Sequence, residues 1–524
     1  MKNNLLKSSV IVSSMTFISR VLGLVRDVVI ANLVGASLFA DVFLLAQKIP
    51  NFMRRLFAEG AFSQAFVPVL NETLTQGSRE DVKQLINKVF SVLASVLLLV
   101  TVLAVLGSSG LAALFGMGFI GDALEAEKFP LLSLMIKITF PYLMFISLTA
   151  FAGSILNSYK QFVVPAITPV FLNLSMIVAA VFVAPGLELP VMALPWAVFC
   201  AGVIQLLFQL PFLWRLGLLP RPALIISKKS WQQKWHDSSV QKILKLLTPA
   251  LFGVSVVQIN LLLDSIIASF LVTGSISWLY YSDRLLEFPL GIFGIAVATV
   301  VLPSLSRKHA EKSAREFSQI LDWAIKLVLM IGIPAAIAMI MLSEPLMLTL
   351  FQRGQFSAFD ASRAGSSLVA YSLGLIFFML IKVLAPGYYA RQDTRTPVKI
   401  ALKAVAANMI LNLILFYPLA HVGLALATSL SAALNATLLF TGLRKKGIYA
   451  KGHRWYRWSF QVFTASSVMA VLLWILMPEL SLWQQGSGFF RIKWISILVA
   501  SGLISYVSVL FLLGVRFKHL VHHE

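Results

Sequence analysis

The chain has 524 residues, 58% of them hydrophobic and 12% charged, with a mean hydropathy of +0.85. Soluble domains carry about 25% charged residues, so a water-soluble fold of this composition would expose very large apolar patches. The net charge of +21 would suggest nucleic acid in a soluble protein. Here it fits the basic cytoplasmic loops of an all-α polytopic membrane protein better, and no nucleic-acid partner is expected.

Lys2 and Lys7 precede an apolar stretch, as in a signal peptide, but Arg20 and Arg26 interrupt it, so a first spanning helix is expected instead. Segment length then divides the chain into about fourteen spans. They cover approximately 8–33, 38–58, 86–107, 131–156, 163–184, 191–214, 243–270, 278–303, 321–343, 364–388, 397–417, 422–442, 459–477 and 494–514. Loops 215–242, 304–316 and 443–457 are rich in Lys and Arg, whereas 185–190, 271–277, 418–421 and 478–490 carry neither. With the basic loops cytoplasmic, the connections alternate correctly and both termini lie inside.

The halves resemble each other. "IANLVGASLFADVFLL" from Ile30 parallels "IASFLVTGSISWLYYS" from Ile267, each with a Gly-Ala/Ser turn between spans. "NSYKQFVVP" ending at Pro165 parallels "YARQDTRTP" ending at Pro397. Shared membrane-helix composition is the plain alternative. The repeat reading gives an N-terminal lobe at 1–220, a basic loop at 221–242, a C-terminal lobe at 243–443, and two added spans with a tail at 444–524. Two lobes of about six spans suit alternating access by rocking.

Catalytic signatures are missing. The single cysteine, Cys200, excludes an intrachain disulfide, and the seven histidines fall in expected loops or the tail. No zinc spacing or phosphate-cradling GxxxxGK[ST] motif occurs, so the chain brings no ATPase of its own.

The informative residues are charges inside spans. The first span holds Arg20, Arg26 and Asp27, and the second Asp41, Lys48, Arg54, Arg55 and Glu59. A charge at mid-membrane costs a few kcal/mol, and such residues persist where they face a wet cavity or pair with each other. Arg20, roughly twelve residues into its span, lies near the midplane, whereas Arg54 and Arg55 are close enough to an end to snorkel. The eighth span opens with Asp283, Arg284 and Glu287. Arginine offers a planar donor fork suited to phosphate, so Arg20, Arg26, Arg54 and Arg284 would line a site for a phosphate or pyrophosphate. Asp27, Asp41, Glu59, Asp283 and Glu287 would orient these arginines or form a gate. A second constellation joins Asp264, Asn408, Asn412 and Thr428, which suits a monovalent cation such as Na+ or a plain interhelical hydrogen-bond cluster.

"SSMTFISRVLGLVRDVVIA", "FADVFLLAQKIPNFMRRLFAEGAFSQAFVPVL", "WLYYSDRLLEFPLGIFGIAVATVVLPSLS", "LFQRGQFSAFDA" and "LAPGYYARQDTRTPVKIA" closely resemble the MurJ (MviN) family of lipid II flippases. The resemblance covers nearly the whole chain. It implies the MOP exporter superfamily and a MATE-like pair of six-helix lobes plus two extra C-terminal helices. It also implies transfer of lipid II, the undecaprenyl-pyrophosphate-linked peptidoglycan precursor, to the periplasmic leaflet of the bacterial inner membrane. The family's cavity arginines fall on Arg20, Arg26, Arg54 and Arg284, its first-span serine on Ser19, and its acidic positions on Asp41 and Glu59. Spans thirteen and fourteen resemble the pair that forms a groove for the lipid tail. Asp264 is not a fixed family residue, which leaves coupling to Na+ or to the membrane potential open. The expected partners are lipid II, membrane lipids and cell-wall synthesis proteins, around a monomeric transporter rather than an enzyme.

Rival readings remain. A drug or cation antiporter of the same fold would want an acidic cavity, against the arginine excess. A membrane scaffold would not need midplane arginines. An enzyme acting on lipid-linked sugars lacks a recognisable catalytic constellation.

Overall fold

The computed structural model describes residues 2–55, 62–121, 126–221, 237–450, 452 and 455–515, without the side chains of 2–13, 249–259, 293–296, 298 and 299. Among these residues the secondary structure is helical throughout. This is expected in a bilayer, where every backbone polar group must be satisfied internally. The chain forms two compact units, Met1–Gly274 and Ser275–Glu524.

The first unit runs α1 (Lys2–Val34), α2 (Leu38–Arg54), α3 (Phe62–Gln76), α4 (Arg79–Leu106), α5 (Ser108–Phe115), α6 (Lys128–Thr139), α7 (Tyr142–Ser158), α8 (Val163–Val178), α9 (Ala193–Arg215) and α10 (Ser238–Ala268). Its core is built from Phe62, Phe66, Ile86, Phe151, Ile155 and their neighbours, with the Phe66 and Phe151 rings 5.1 Å apart. α10, which carries the seventh expected span, contributes Ile243 to this core.

The second unit runs α11 (Ser275–Pro289), α12 (Ile295–Ala310), α13 (Ala314–Met341), α14 (Ser343–Leu350), α15 (Ala358–Tyr389), α16 (Arg395–Lys445), α17 (Trp455–Leu476), α18 (Leu480–Gln485) and α19 (Gly488–Leu512). A π-helical turn, Leu290–Gly294, joins α11 to α12. Val301, Leu321, Val328, Met379, Val383 and Leu443 form its core. Large apolar side chains such as Leu103, Phe182, Leu413 and Phe511 are exposed, the arrangement a lipid solvent favours.

Nine helical segments among the described residues are long and apolar enough to cross a membrane. One of these is α16, which spans 51 residues but breaks at Ala420, where φ is 49° and ψ is −129°. Pro418 precedes the break, which falls in the expected connection 418–421 and separates two expected spans. The expected spans 8–33, 243–270 and 278–303 fall on α1, α10 and α11–α12, and 38–58 begins on α2, with 56–58 outside the described residues.

The halves repeat in local detail. α4 has 28 residues and is followed, after one residue, by the 8-residue α5. α13 and α14 have the same lengths, 28 and 8. The two Gly-containing turns place Gly35 at φ 61° and Gly274 at φ 95°, left-handed values that favour glycine.

The last two long helices are tied to α13. The Asp322 carboxylate accepts from Tyr449 Oη at 2.7 Å, Trp455 Nε1 at 2.7 Å, Lys326 Nζ at 2.7 Å and the Gly452 N–H at 3.2 Å. Tyr506 Oη on α19 donates to the Met330 carbonyl at 2.6 Å. Arg491, also on α19, is buried and donates to the carbonyls of Trp483, Gln484, Leu348 and Gln352.

Candidate anion site in the spans

In α1, Ser19, Gly23 and Arg26 follow one another at helical spacing and therefore share a face. α8 packs there, with Asn173 beside Gly23. Arg26 is 7% exposed and Asp27 fully buried. Arg26 donates to Asp27 Oδ1 through Nε at 3.0 Å and Nη2 at 2.7 Å, and to Asn173 Oδ1 through Nη1 at 3.0 Å. Asn173 Nδ2 in turn donates to the Ser19 carbonyl at 2.9 Å and reaches Ser19 Oγ at 3.5 Å. The Arg26–Asp27 pair is neutral as a unit, which lowers the cost of holding a guanidinium in the membrane. Arg20, on the same helix, is exposed.

α2 begins where the Ser37 side chain accepts from the Ala40 N–H. Asp41, in its first turn, is buried and accepts from the Gly274 N–H at 2.7 Å. Lys48 Nζ donates to Ser265 Oγ on α10 at 2.9 Å. These two bonds fasten α10 and the turn that follows it to α2 within the first unit. Arg54 is half-buried in the last turn of α2, and Arg55 beside it is exposed. Glu59 lies outside the described residues.

In the second unit, Arg284 donates to Glu287 Oε2 at 2.8 Å and to Tyr280 Oη at 3.1 Å, and its guanidinium stacks over the Tyr280 ring. Glu287 and Tyr280 flank Arg284 at i+3 and i−4 on α11, so local helix geometry orients this arginine. Asp283 is exposed.

The expected cation residues fall in both units. In the second, Asn412 Nδ2 donates to Asn408 Oδ1 at 3.0 Å, and Asn408 Nδ2 to Thr428 Oγ1 at 3.5 Å. Both asparagines are fully buried. In the first, Asp264 accepts from Asn260 at 3.4 Å. Among the described residues no group of three or more His, Cys, Asp or Glu side chains could hold a metal ion. An apolar cavity of about 400 Å³ opens between α13 and α17, lined by Leu329, Ile333, Trp455, Trp458, Phe460 and Phe463 among others.

Sequence reasoning missed Asn173, Asn260, Ser265 and Tyr280. The available signal for Asn173 was a lone amide inside the apolar run "PVFLNLSMIV". Such a residue is costly in lipid unless it is hydrogen-bonded.

The family described as lipid II flippase MurJ matches residues 30–494. The probable lipid II flippase MurJ of Haemophilus influenzae is 50% identical over 517 residues, covering 97% of this chain and 99% of that protein. A solved lipid II flippase MurJ, in an inward closed conformation, superposes with a TM-score of 0.78 at 27% identity, covering 95% of this chain and 98% of that one. An inward-facing multidrug-resistance MATE transporter of the MOP superfamily shares the fold, with a TM-score of 0.68 at 13% identity, covering 84% of this chain and 98% of that one. The arginine-bearing spans, the repeated halves and these likenesses agree, and the chain belongs to the MurJ family.

Proposed function

We propose that the chain is a transporter that moves lipid II from the cytoplasmic to the periplasmic leaflet of the bacterial inner membrane. The observation that carries the reading is Arg26, buried in a spanning helix and held by Asp27 and Asn173 rather than snorkelling to a surface. A guanidinium so placed suits a pyrophosphate. The near full-length identity to a probable lipid II flippase supports the same substrate.

In this reading Arg20, Arg26, Arg54 and Arg284 capture the pyrophosphate through charge-assisted hydrogen bonds, with Ser19 beside them. The sugar–pentapeptide head then stays in a polar environment, because its unpaired polar groups would be prohibitive in hydrocarbon. The prenyl tail remains in lipid or lies along the apolar surface of the last two spans. The lobe expected at 1–220 carries α10 with it, because α10 packs and bonds within the first unit, and it rocks against the remainder of the expected second lobe, while 444–524 forms the added pair. Both termini lie in the cytoplasm, and the transporter acts as a monomer alongside cell-wall synthesis proteins. The return is biased by a monovalent cation or by the membrane potential, since one charge crossing 100 mV involves about 2.3 kcal/mol.

The test is lipid II accessibility at the outer leaflet in cells that depend on this protein. Arg20→Ala, Arg26→Ala and Arg284→Ala, at normal expression, are expected to abolish translocation, and Arg26→Lys to restore only part of it. Normal translocation in all three alanine variants would overturn the reading. Replacing Na+ by choline in the same assay separates cation coupling, which predicts slower translocation, from coupling to the potential alone.

A further inference from the structure

We infer that Asn173 on α8 is a positioning residue that sets the direction of the Arg26 guanidinium. The inference rests on the reading above, in which Arg26 meets a pyrophosphate. The geometry fixes the amide orientation without ambiguity. Arginine can only donate and a backbone carbonyl can only accept, so Oδ1 must face Arg26 and Nδ2 must face Ser19. Asn173 is 6% exposed, so water does not readily replace either bond.

Asp27 alone does not fix the guanidinium plane. The bonds from Nε and Nη2 converge on one oxygen, Oδ1. Two bonds that converge on one point resist rotation about that edge less than bonds to separate acceptors do. The Asn173 bond to Nη1 supplies a third point from a different helix, and three points define a plane. The second arm of the amide ties that point to the Ser19 carbonyl on α1 itself. One side chain thus sets the guanidinium against the helix that carries it, with α8 as the brace.

The chemistry also explains an amide at this position. Aspartate would give Arg26 a second carboxylate, turn the buried cluster from neutral to negative, and set two acceptors face to face at Ser19. Leucine would fill similar space but leave the Arg26 N–H and the outward arm of the Ser19 carbonyl without this contact. Asparagine alone offers one acceptor and one donor, at the right reach, with no net charge. Phosphate recognition by arginine depends on a planar fork presented at a set angle, so direction matters as much as charge.

The experiment is a double-mutant cycle on the full-length protein in nanodiscs, with purified lipid II as the probe. Asn173→Ala is expected to weaken binding about tenfold, as for loss of a hydrogen bond to a charged group. In an Arg26→Ala background the same replacement is expected to change binding less than about twofold, because nothing remains to be positioned. Asn173→Ser introduces no buried charge, since its hydroxyl can bond back to its own helix, and it is expected to weaken binding as much with little change in melting temperature. It keeps the test decisive if the alanine variant folds poorly. Additive effects in the cycle would mean a merely structural role and overturn the inference. Normal binding by both Asn173 variants alongside lost binding by Arg26→Ala would also overturn it, leaving the pyrophosphate reading intact. Normal binding by Arg26→Ala would sink both.

Discussion

Lys160 and Gln392 hold the same left-handed backbone position, at φ 62° and 60°, at the matching ends of α7 and α15. The next N–H in each case bonds back across the turn, Gln161 to the Leu156 carbonyl and Asp393 to the Tyr388 carbonyl. This is the helix-ending geometry that usually recruits glycine. The two halves of the chain therefore share a strained detail as well as a hydropathy pattern.

Lys160→Gly and Gln392→Gly are each expected to stabilise by roughly 0.5 kcal/mol, since relief of the left-handed strain outweighs the entropy gained by the unfolded chain. Valine at either position is expected to destabilise by more than about 1 kcal/mol. The two effects should add, because the sites share no partner. Urea unfolding in detergent micelles checks the order; glycine weaker than the native residue at both sites would refute it.

Asp322→Ala is expected to cost about 3 kcal/mol, because it strands Lys326 and the buried donors of Tyr449 and Trp455. Gly452→Ala acts on the same junction from the other side. A Cβ there would stand 2.5 Å from Asp322 Oδ2, so the segment must shift. Both variants are expected to loosen the start of α17, measured as faster hydrogen exchange over 446–460 with little change in α4.

Arg491→Lys should be poorly tolerated although it keeps the charge. The guanidinium serves four carbonyls, in the segments of Leu348, Gln352, Trp483 and Gln484. A single ammonium cannot reach all of them from one point. The expected loss is about 2 kcal/mol, read as a lowered melting temperature. An unchanged melting temperature would show that these bonds are not holding α19.

Asp393 gives a pH-dependent contribution. Lys446 Nζ at 2.7 Å, with Thr396, holds its carboxyl at about 2, below the ordinary 3.8. A depressed folded-state value means the stabilisation is present above pH 3.8 and fades as the pH falls towards 2. Lys446 is exposed and Asp393 partly so, so the effect stays under about 1 kcal/mol and weakens with salt. The Asp393→Asn variant removes the charge and, like the protonated carboxyl, keeps one carbonyl oxygen as an acceptor while the other position becomes a donor. The gap between the two proteins at pH 7 should therefore close between pH 4 and pH 2, followed by circular dichroism during thermal melts.

Much of the fold was legible because lipid imposes a simple rule: a long apolar run must be a helix. The connection at 418–421 is an example, marked by Pro418 and realised at Ala420. Residues at risk in lipid were also legible, since Arg26 or Asp27 is costly without a reason to be there. Their partners were harder to read. Asn173 lies far along the chain from Arg26, and helical periodicity says nothing about which helix will pack alongside. Tyr280 could have been found, being one turn from Arg284 on the same helix. Asp41 shows another limit: its charge stood out, but one of its partners is a backbone N–H, which has no sequence signature.

The adjacency of Arg26 and Asp27 bears on how the protein is made. Their pair is complete as soon as α1 leaves the ribosome, so this guanidinium enters the bilayer with its charge already balanced. Asn173 follows 147 residues later. At 5–20 residues per second that is a delay of about 7–30 s. Through that interval the first helix must wait in the membrane with its arginine neutralised but without its bond to Asn173. The bonded surroundings of Arg26 are therefore completed late in biogenesis, no earlier than the insertion of α8.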